Sequence, residues 1–168
     1  NAVTFTVTDV NGNESEATAT VTVEDNIAPQ VVTQDVTVEL DETGDGSITI
    51  NQVDNGSLDA CGIASMSLSQ TVFDCSHVGP YTVTLTVMDV NGNVSMAAAT
   101  VTVQDNIAPE AMAQDFTVQL DSNGAASIDA DDIDNGSSDA CGIASMSLDQ
   151  SAFDCSHVGL NTVTLTVM

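Results

Sequence analysis

A chain of 168 residues with 25 acidic side chains and no lysine or arginine carries a formal charge of −25 at neutral pH. Nucleic acid is excluded as a partner, because phosphate recognition needs basic groups, and an anionic lipid surface would repel the chain. Hydrophobic residues make up 42% of it, too many for a disordered acidic tail, and no apolar run is long enough for membrane insertion.

The sequence is written twice. Asp9–Pro29 returns as Asp89–Pro109, and Asp54–Gly79 returns as Asp134–Gly159. The period is about eighty residues with about two-thirds identity, close enough for the copies to share one fold. The chain opens partway through one unit and stops at the same point of a later one. It therefore reads as a window on a longer array whose partners are neighbouring repeats or subunits of the same protein. Residues 1–25 are read as the C-terminal strands of a preceding repeat, 26–105 as a complete repeat, and 106–168 as a repeat lacking its last hairpin. The boundaries fall at Asp25-Asn-Ile-Ala-Pro29 and Asp105-Asn-Ile-Ala-Pro109, where proline ends a strand and stiffens the exit.

Within 26–105 the apolar pattern alternates with period two. A broken first strand is expected near Gln30–Leu40, with Val36, Val38 and Leu40 on one face. A second is expected near Ser47–Val53, a third near Ala64–Leu68, and one or two short strands before Cys75. The clearest is Tyr81–Met88, where Tyr81, Val83, Leu85 and Val87 alternate with three threonines, and Ser95–Gln104 follows it. Asn91-Gly92 between them is a signal for a type I′ hairpin turn, which needs positive φ at both central residues. Helical periodicity is nowhere sustained. The fold class expected is all-β: tandem immunoglobulin-like antiparallel β-sandwiches of about seven strands each.

The four cysteines fall as two pairs in register, Cys61/Cys75 and Cys141/Cys155. One disulfide per repeat follows, Cys61–Cys75 and Cys141–Cys155, and with it an oxidising, extracellular or cell-surface location. Zinc is the rival, but two cysteines and one histidine per unit give too few soft ligands.

In a sandwich of this strand order, the loops after the second and the sixth strands gather where the chain enters. Asp25, Asn26, Asp54, Asp59, Asp89, Asn91 and Asn93 should then converge at one end. Asp9, Asn11 and Asn13 are their counterparts in the preceding unit, and Asp105, Asn106, Asp134 and Asp139 in the next. Asp41, Glu42 or Asp45 of a neighbouring unit could join from the opposite end. Such a set of hard oxygens without any basic partner suits calcium, which takes six to eight of them, better than magnesium. Each piece also has a plainer role: Asp-x-Asn-Gly-Asn is a turn in its own right, and Asp54-Asn-Gly is a cap.

Val-Thr-Val-Glu-Asp-Asn-Ile-Ala-Pro29, Asp59-Ala-Cys-Gly62 and Thr-Val-Met-Asp-Val-Asn-Gly-Asn93 together carry a resemblance. Over essentially its whole length the chain resembles hyalin-repeat and related immunoglobulin-like modules of large bacterial surface proteins. The Asp-Asn-x-Ala-Pro junction is similar to the calcium-stiffened linker of cadherins, by analogy alone. The resemblance implies a secreted, multi-repeat adhesin stalk or extracellular fibre and names no ligand.

The leading function is thus structural: a calcium-rigidified, disulfide-stapled stalk or self-assembling filament. Strand donation between subunits is a further route to the filament. The alternative is an adhesin module binding glycan or protein. It is weakened by the absence of tryptophan and arginine, with Asp41–Gln52 against Asp121–Asp132 the stretch that varies most between copies. Catalysis is not expected. Cys75-Ser-His77 is the one nucleophile–base pair in sight, and adjacent strand residues face opposite ways. The Asn-x-Ser sequons at Asn13, Asn55, Asn93 and Asn135 are read as turn residues without functional glycosylation.

Overall fold

The computed structural model describes residues 1–168. The chain is mostly β. Strands β1 (Ala2–Thr8) and β2 (Glu14–Thr20) form a separate hairpin. The second unit contributes β3 (Val36–Glu39), β4 (Asp45–Ser47), a helical turn α1 (Ile50–Val53), β5 (Ile63–Leu68), β6 (Val72–Asp74), β7 (Gly79–Asp89) and β8 (Val94–Gln104). The third repeats them in part as β9 (Ala125–Ser127), α2 (Ala130–Ile133), β10 (Met146–Leu148), β11 (Ala152–Asp154) and β12 (Leu165–Val167). No helix is long and apolar enough to cross a membrane.

The second unit holds the main core. Its four-stranded sheet runs β3-β8-β7-β5, and a two-stranded ribbon β4-β6 closes over it. Period-two alternation turns Val83, Leu85 and Val87 of β7 and Ala99, Val101 and Val103 of β8 inward, and they meet Val38, Leu40, Ile48, Val53 and Phe73. Each fully buried Val, Leu or Phe among them contributes about 1.5–3 kcal/mol. Ahead of β3, Asp35 accepts the Thr100 amide at 2.7 Å and the Thr33 hydroxyl donates to the Ala98 carbonyl at 2.8 Å. The broken first strand is thereby fastened to β8 along most of its length.

Four expectations are corrected here. The pairing of β3 with β8 is parallel, Val36 opposite Val101, so the sheet is mixed rather than antiparallel throughout. First and last strands both run from the entry end to the exit end, and adjacency then makes them parallel. The unit has six strands rather than about seven. The segment read as a strand over Ser47–Val53 breaks after Ser47 into α1, because Gln52 Oε1 accepts the Thr49 amide at 2.7 Å and favours a turn of helix there. The β7–β8 turn is also not type I′. Only Gly92 has positive φ, +94°, and the Asp89 carboxylate holds the amides of Asn91 and Asn93 instead.

The flanking segments lack such a core. Val3, Phe5 and Val7, counterparts of Val83, Leu85 and Val87, are exposed on the β1–β2 hairpin. In the third unit residues 116–119, counterparts of β3, join no ladder. An open trough of about 900 Å³ lies among Phe116, Val118, Ile128, Ile133, Phe153 and Val163.

Candidate functional site: the joint between repeats

The two ends of the second unit are set by its ladders. Ile63 pairs opposite Asp89 at the entry end, and Gly79 pairs opposite Val103 at the exit end. Cys61 precedes β5 at the entry, and Cys75 precedes β7 at the exit. About 20 Å of β5 separates those ends, so the expected Cys61–Cys75 pairing is geometrically excluded. The expected Cys141–Cys155 pairing fails as well, because Cys141 is bonded elsewhere and Cys155 is free. The disulfide instead joins Cys75 to Cys141, across the joint, with Cα atoms 5.1 Å apart; Cys61 and Cys155 are free and exposed.

The joint is built from one loop of each repeat. Gly44, φ +80°, turns the β3–β4 loop so closely over the bond that a Cβ there would lie 2.7 Å from Cys75 Sγ and 3.4 Å from Ala140 Cβ. On the other side Asp139 Oδ1 accepts the amides of Cys141 at 2.8 Å and Gly142 at 3.0 Å, shaping the turn that presents the sulfur. Asn106 reaches back to Glu39 at 3.5 Å. In the sequence Gly44-Asp45-Gly46 reads as a turn between strands and nothing more. The signal was present: Glu42, Thr43 and Asp45 all change in the next copy, to Ser122, Asn123 and Ala125, while Gly44 returns as Gly124.

Two acidic groups lie at the joints. The ligand atoms of Asp25, Asp59 and Cys61 fall within 4.8 Å of one another, as do those of Asp105, Asp139 and Cys141. One oxygen of each carboxylate serves the backbone: Asp25 takes the Ile27 amide and Asp59 those of Cys61 and Gly62, with Asp105 and Asp139 repeating the pattern. No basic side chain exists in the chain to neutralise either pair of carboxylates. The Cys61 thiol is held above its usual range by its hydrogen bond to Asp25, by the charge of Asp25, and by Asp59 and Asp89 nearby.

Asp89 and Asn93 share this end in another role. Asp89 is buried, and its carboxylate accepts from the amides of Asn91 and Asn93 and from Asn93 Nδ2 at 2.7–2.8 Å. Burial pushes its pKa up, but the donors from Asn93 and Asn91 outweigh it and hold the group below the ordinary carboxylate range. Asn93 Nδ2 also donates to the carbonyls of Asp25 at 3.1 Å and Ile27 at 3.3 Å, fastening the linker. Asp9, Asn11 and Asn13 form the same turn on the exposed hairpin without that linker contact.

Asp54 and Asp134 are not brought into these groups. Each caps its Asn-Gly-Ser turn, with Oδ1 accepting from Ser57 or Ser137 at 3.0 Å. Asn26 makes no side-chain hydrogen bond, and Asn91 contributes only its amide to the turn. At the exit Asp41 turns inward on its own loop, accepting from Thr43 and Asp45. His77, edge-on against the rings of Phe73 and Tyr81, bonds Asp74 through Nδ1 at 2.8 Å, and the sulfur of Cys75 is committed to the disulfide.

No protein-family model matches the chain, and no curated protein matches it. A β-rich chain cross-linked between its repeats, with paired carboxylates at each joint, is what the fold and site define. The disulfide fits an oxidising environment.

Proposed function

We propose that this chain is part of an extracellular structural array: immunoglobulin-like repeats locked end to end into a stiff stalk or filament of a microbial surface. The Cys75–Cys141 bond carries the reading, because a cross-link between repeats restrains their relative motion whereas one within a repeat stabilises only that unit. The period of about eighty residues supplies length by repetition. Lack of any cation among 25 acids supplies the second element, a divalent ion at each joint.

The donor set suits calcium in chemistry. Asp105 and Asp139 at one joint, and Asp25 and Asp59 at the other, would each offer a carboxylate oxygen, with backbone carbonyls and water completing the six to eight that calcium takes. Asp89 and Asn93 would act beside it by positioning the linker. Calcium, when bound, supplies the positive charge that lets these carboxylates approach.

Thermal unfolding of the whole chain with excess calcium, and then with a chelator, tests the metal. Ligand linkage of about 3–4 kcal/mol at saturating calcium would raise the melting temperature by on the order of 10 °C. An unchanged melt sinks the calcium joint and leaves the acidity to serve solubility.

A further inference from the structure

We infer that Cys155 and Cys61 are the open halves of a further inter-repeat disulfide, so that a second copy of this chain joins head to tail, Cys155 of one copy bonded to Cys61 of the next. The inference rests on the tandem-array reading and deepens it by naming the partner and the bond. Three observations carry it.

Cys155 is held as its bonded counterpart is. Its sulfur lies 3.9 Å from the Gly124 carbonyl, as that of Cys75 lies 3.9 Å from the Gly44 carbonyl, and a Cβ on either glycine would come to 2.7 Å of the sulfur. Cys61 matches Cys141 equally closely. Asp59 accepts the amides of Cys61 and Gly62 at 2.8 and 3.0 Å, the distances that Asp139 keeps to Cys141 and Gly142. Beside Cys61, finally, lies an open socket of about 330 Å³ lined by Asp25, Ile27, Leu58, Asp59, Ala60 and Cys61. Its counterpart in the third unit is where Gly44 and Cys75 seat against Ala140 and Cys141. Ile27 in the open joint is 75% exposed, whereas Ile107 in the closed one is 38% exposed.

By analogy with the closed joint, the socket has its occupant in the chain itself, the loop carrying Gly124 together with Cys155. Closure oxidises two thiols and needs a two-electron acceptor, here a small-molecule disulfide. The Cys155 thiolate attacks the disulfide, one of its sulfurs leaves as thiolate, and a mixed disulfide forms. The Cys61 thiolate of the next copy then attacks the Cys155 sulfur and expels the second small thiolate. The two protons given up by the cysteines end on the two released thiols.

The whole chain would be oxidised with glutathione disulfide, resolved by non-reducing electrophoresis, and mapped by mass spectrometry after cleavage at acidic or aromatic residues, since no trypsin site exists. We expect a ladder of covalent multimers and a Cys155–Cys61 peptide between copies. C61S and C155S, both at exposed positions, should each remain monomeric alone, and their mixture should stop at a dimer. Homodimers of either variant forming as readily as the mixed dimer would overturn the inference, as would a map showing Cys61–Cys75 and Cys141–Cys155. Running the ladder in calcium and in chelator separates this bond from the metal: an intact ladder beside an unchanged melt removes calcium alone.

Discussion

Four single cysteine-to-serine variants distinguish a chain stapled across its repeats from one stapled within them. Cross-linking Cys75 to Cys141 closes a loop spanning a sequence separation of 66. The chain-entropy relation gives about 4 kcal/mol for a loop of that size at 25 °C, and about 3 kcal/mol for one of roughly 15 residues, as a within-unit pair would close. C75S and C141S should each lose about 4 kcal/mol in denaturant unfolding, on the order of 10–15 °C in melting temperature for the second and third units together. C61S and C155S, measured dilute enough to stay monomeric, should lose almost nothing, because neither sulfur is bonded within the chain. Reduction of the wild type should reproduce C75S. Equal losses of about 3 kcal/mol from all four variants would refute the cross-joint pairing and restore one staple per repeat.

Asn93→Ala removes the donor shared by Asp89 and the linker carbonyls of Asp25 and Ile27, and should cost about 1–2 kcal/mol in denaturant unfolding. Asn13→Ala, in the same turn without the linker contact, should cost less than half as much; equal losses would show that fastening the linker contributes nothing. Acid should act late. Asp41, Asp89, Asp121, Asp134 and Asp149 all sit below the ordinary carboxylate range: burial opposes the shift at Asp89, and hydroxyl, amide or backbone donors drive it. A depressed folded-state pKa stabilises above the unfolded value and is lost as pH falls through the folded one. The melting temperature should thus hold from pH 7 to about 5 and decline below about 4; a decline starting above pH 5 would place the sensitive groups elsewhere.

Alternation made the strands legible. Tyr81–Met88 and Ser95–Gln104 fall within β7 and β8, and Ala64–Leu68 within β5, because a two-residue period on Val, Leu and Thr permits few other structures. The helical turn at Ile50–Val53 was hidden, since one turn is shorter than any window in which helical period emerges. Its one sign was Thr49-x-x-Gln52, a capping pair. The convergence of Asp25, Asp59 and Asp89 near Cys61 was readable from strand order, which fixes which loops share an end. The same logic applied to the cysteines points outward: Cys61 before the third expected strand and Cys75 before the sixth lie at opposite ends. Pairing by sequence proximity obscured this. An in-register repeat allows partners one period apart as readily as neighbours, and composition cannot choose between them.

Where the bond lies also decides which residues bear load. When the chain is stretched from its ends, tension reaching Cys75 crosses to Cys141 and continues toward Met168, so Ser76–Ala140 lie off the path. That stretch contains β7, β8 and the linker Asp105–Pro109. These are the core strands and the joint, the parts whose rupture would cost an array its stiffness. At about 3.5 Å per residue, a separation of 66 residues withholds about 230 Å of contour until the disulfide is reduced. Two within-unit staples would withhold only about 100 Å together, and would leave the linker bearing the full force. Single-molecule stretching of the oxidised and reduced chain reads this difference directly. A gain near 230 Å on reduction fits a bond that shields strands and linker alike, whereas a gain near 100 Å would return the linker to the load path and remove the mechanical case for a stalk built on this joint.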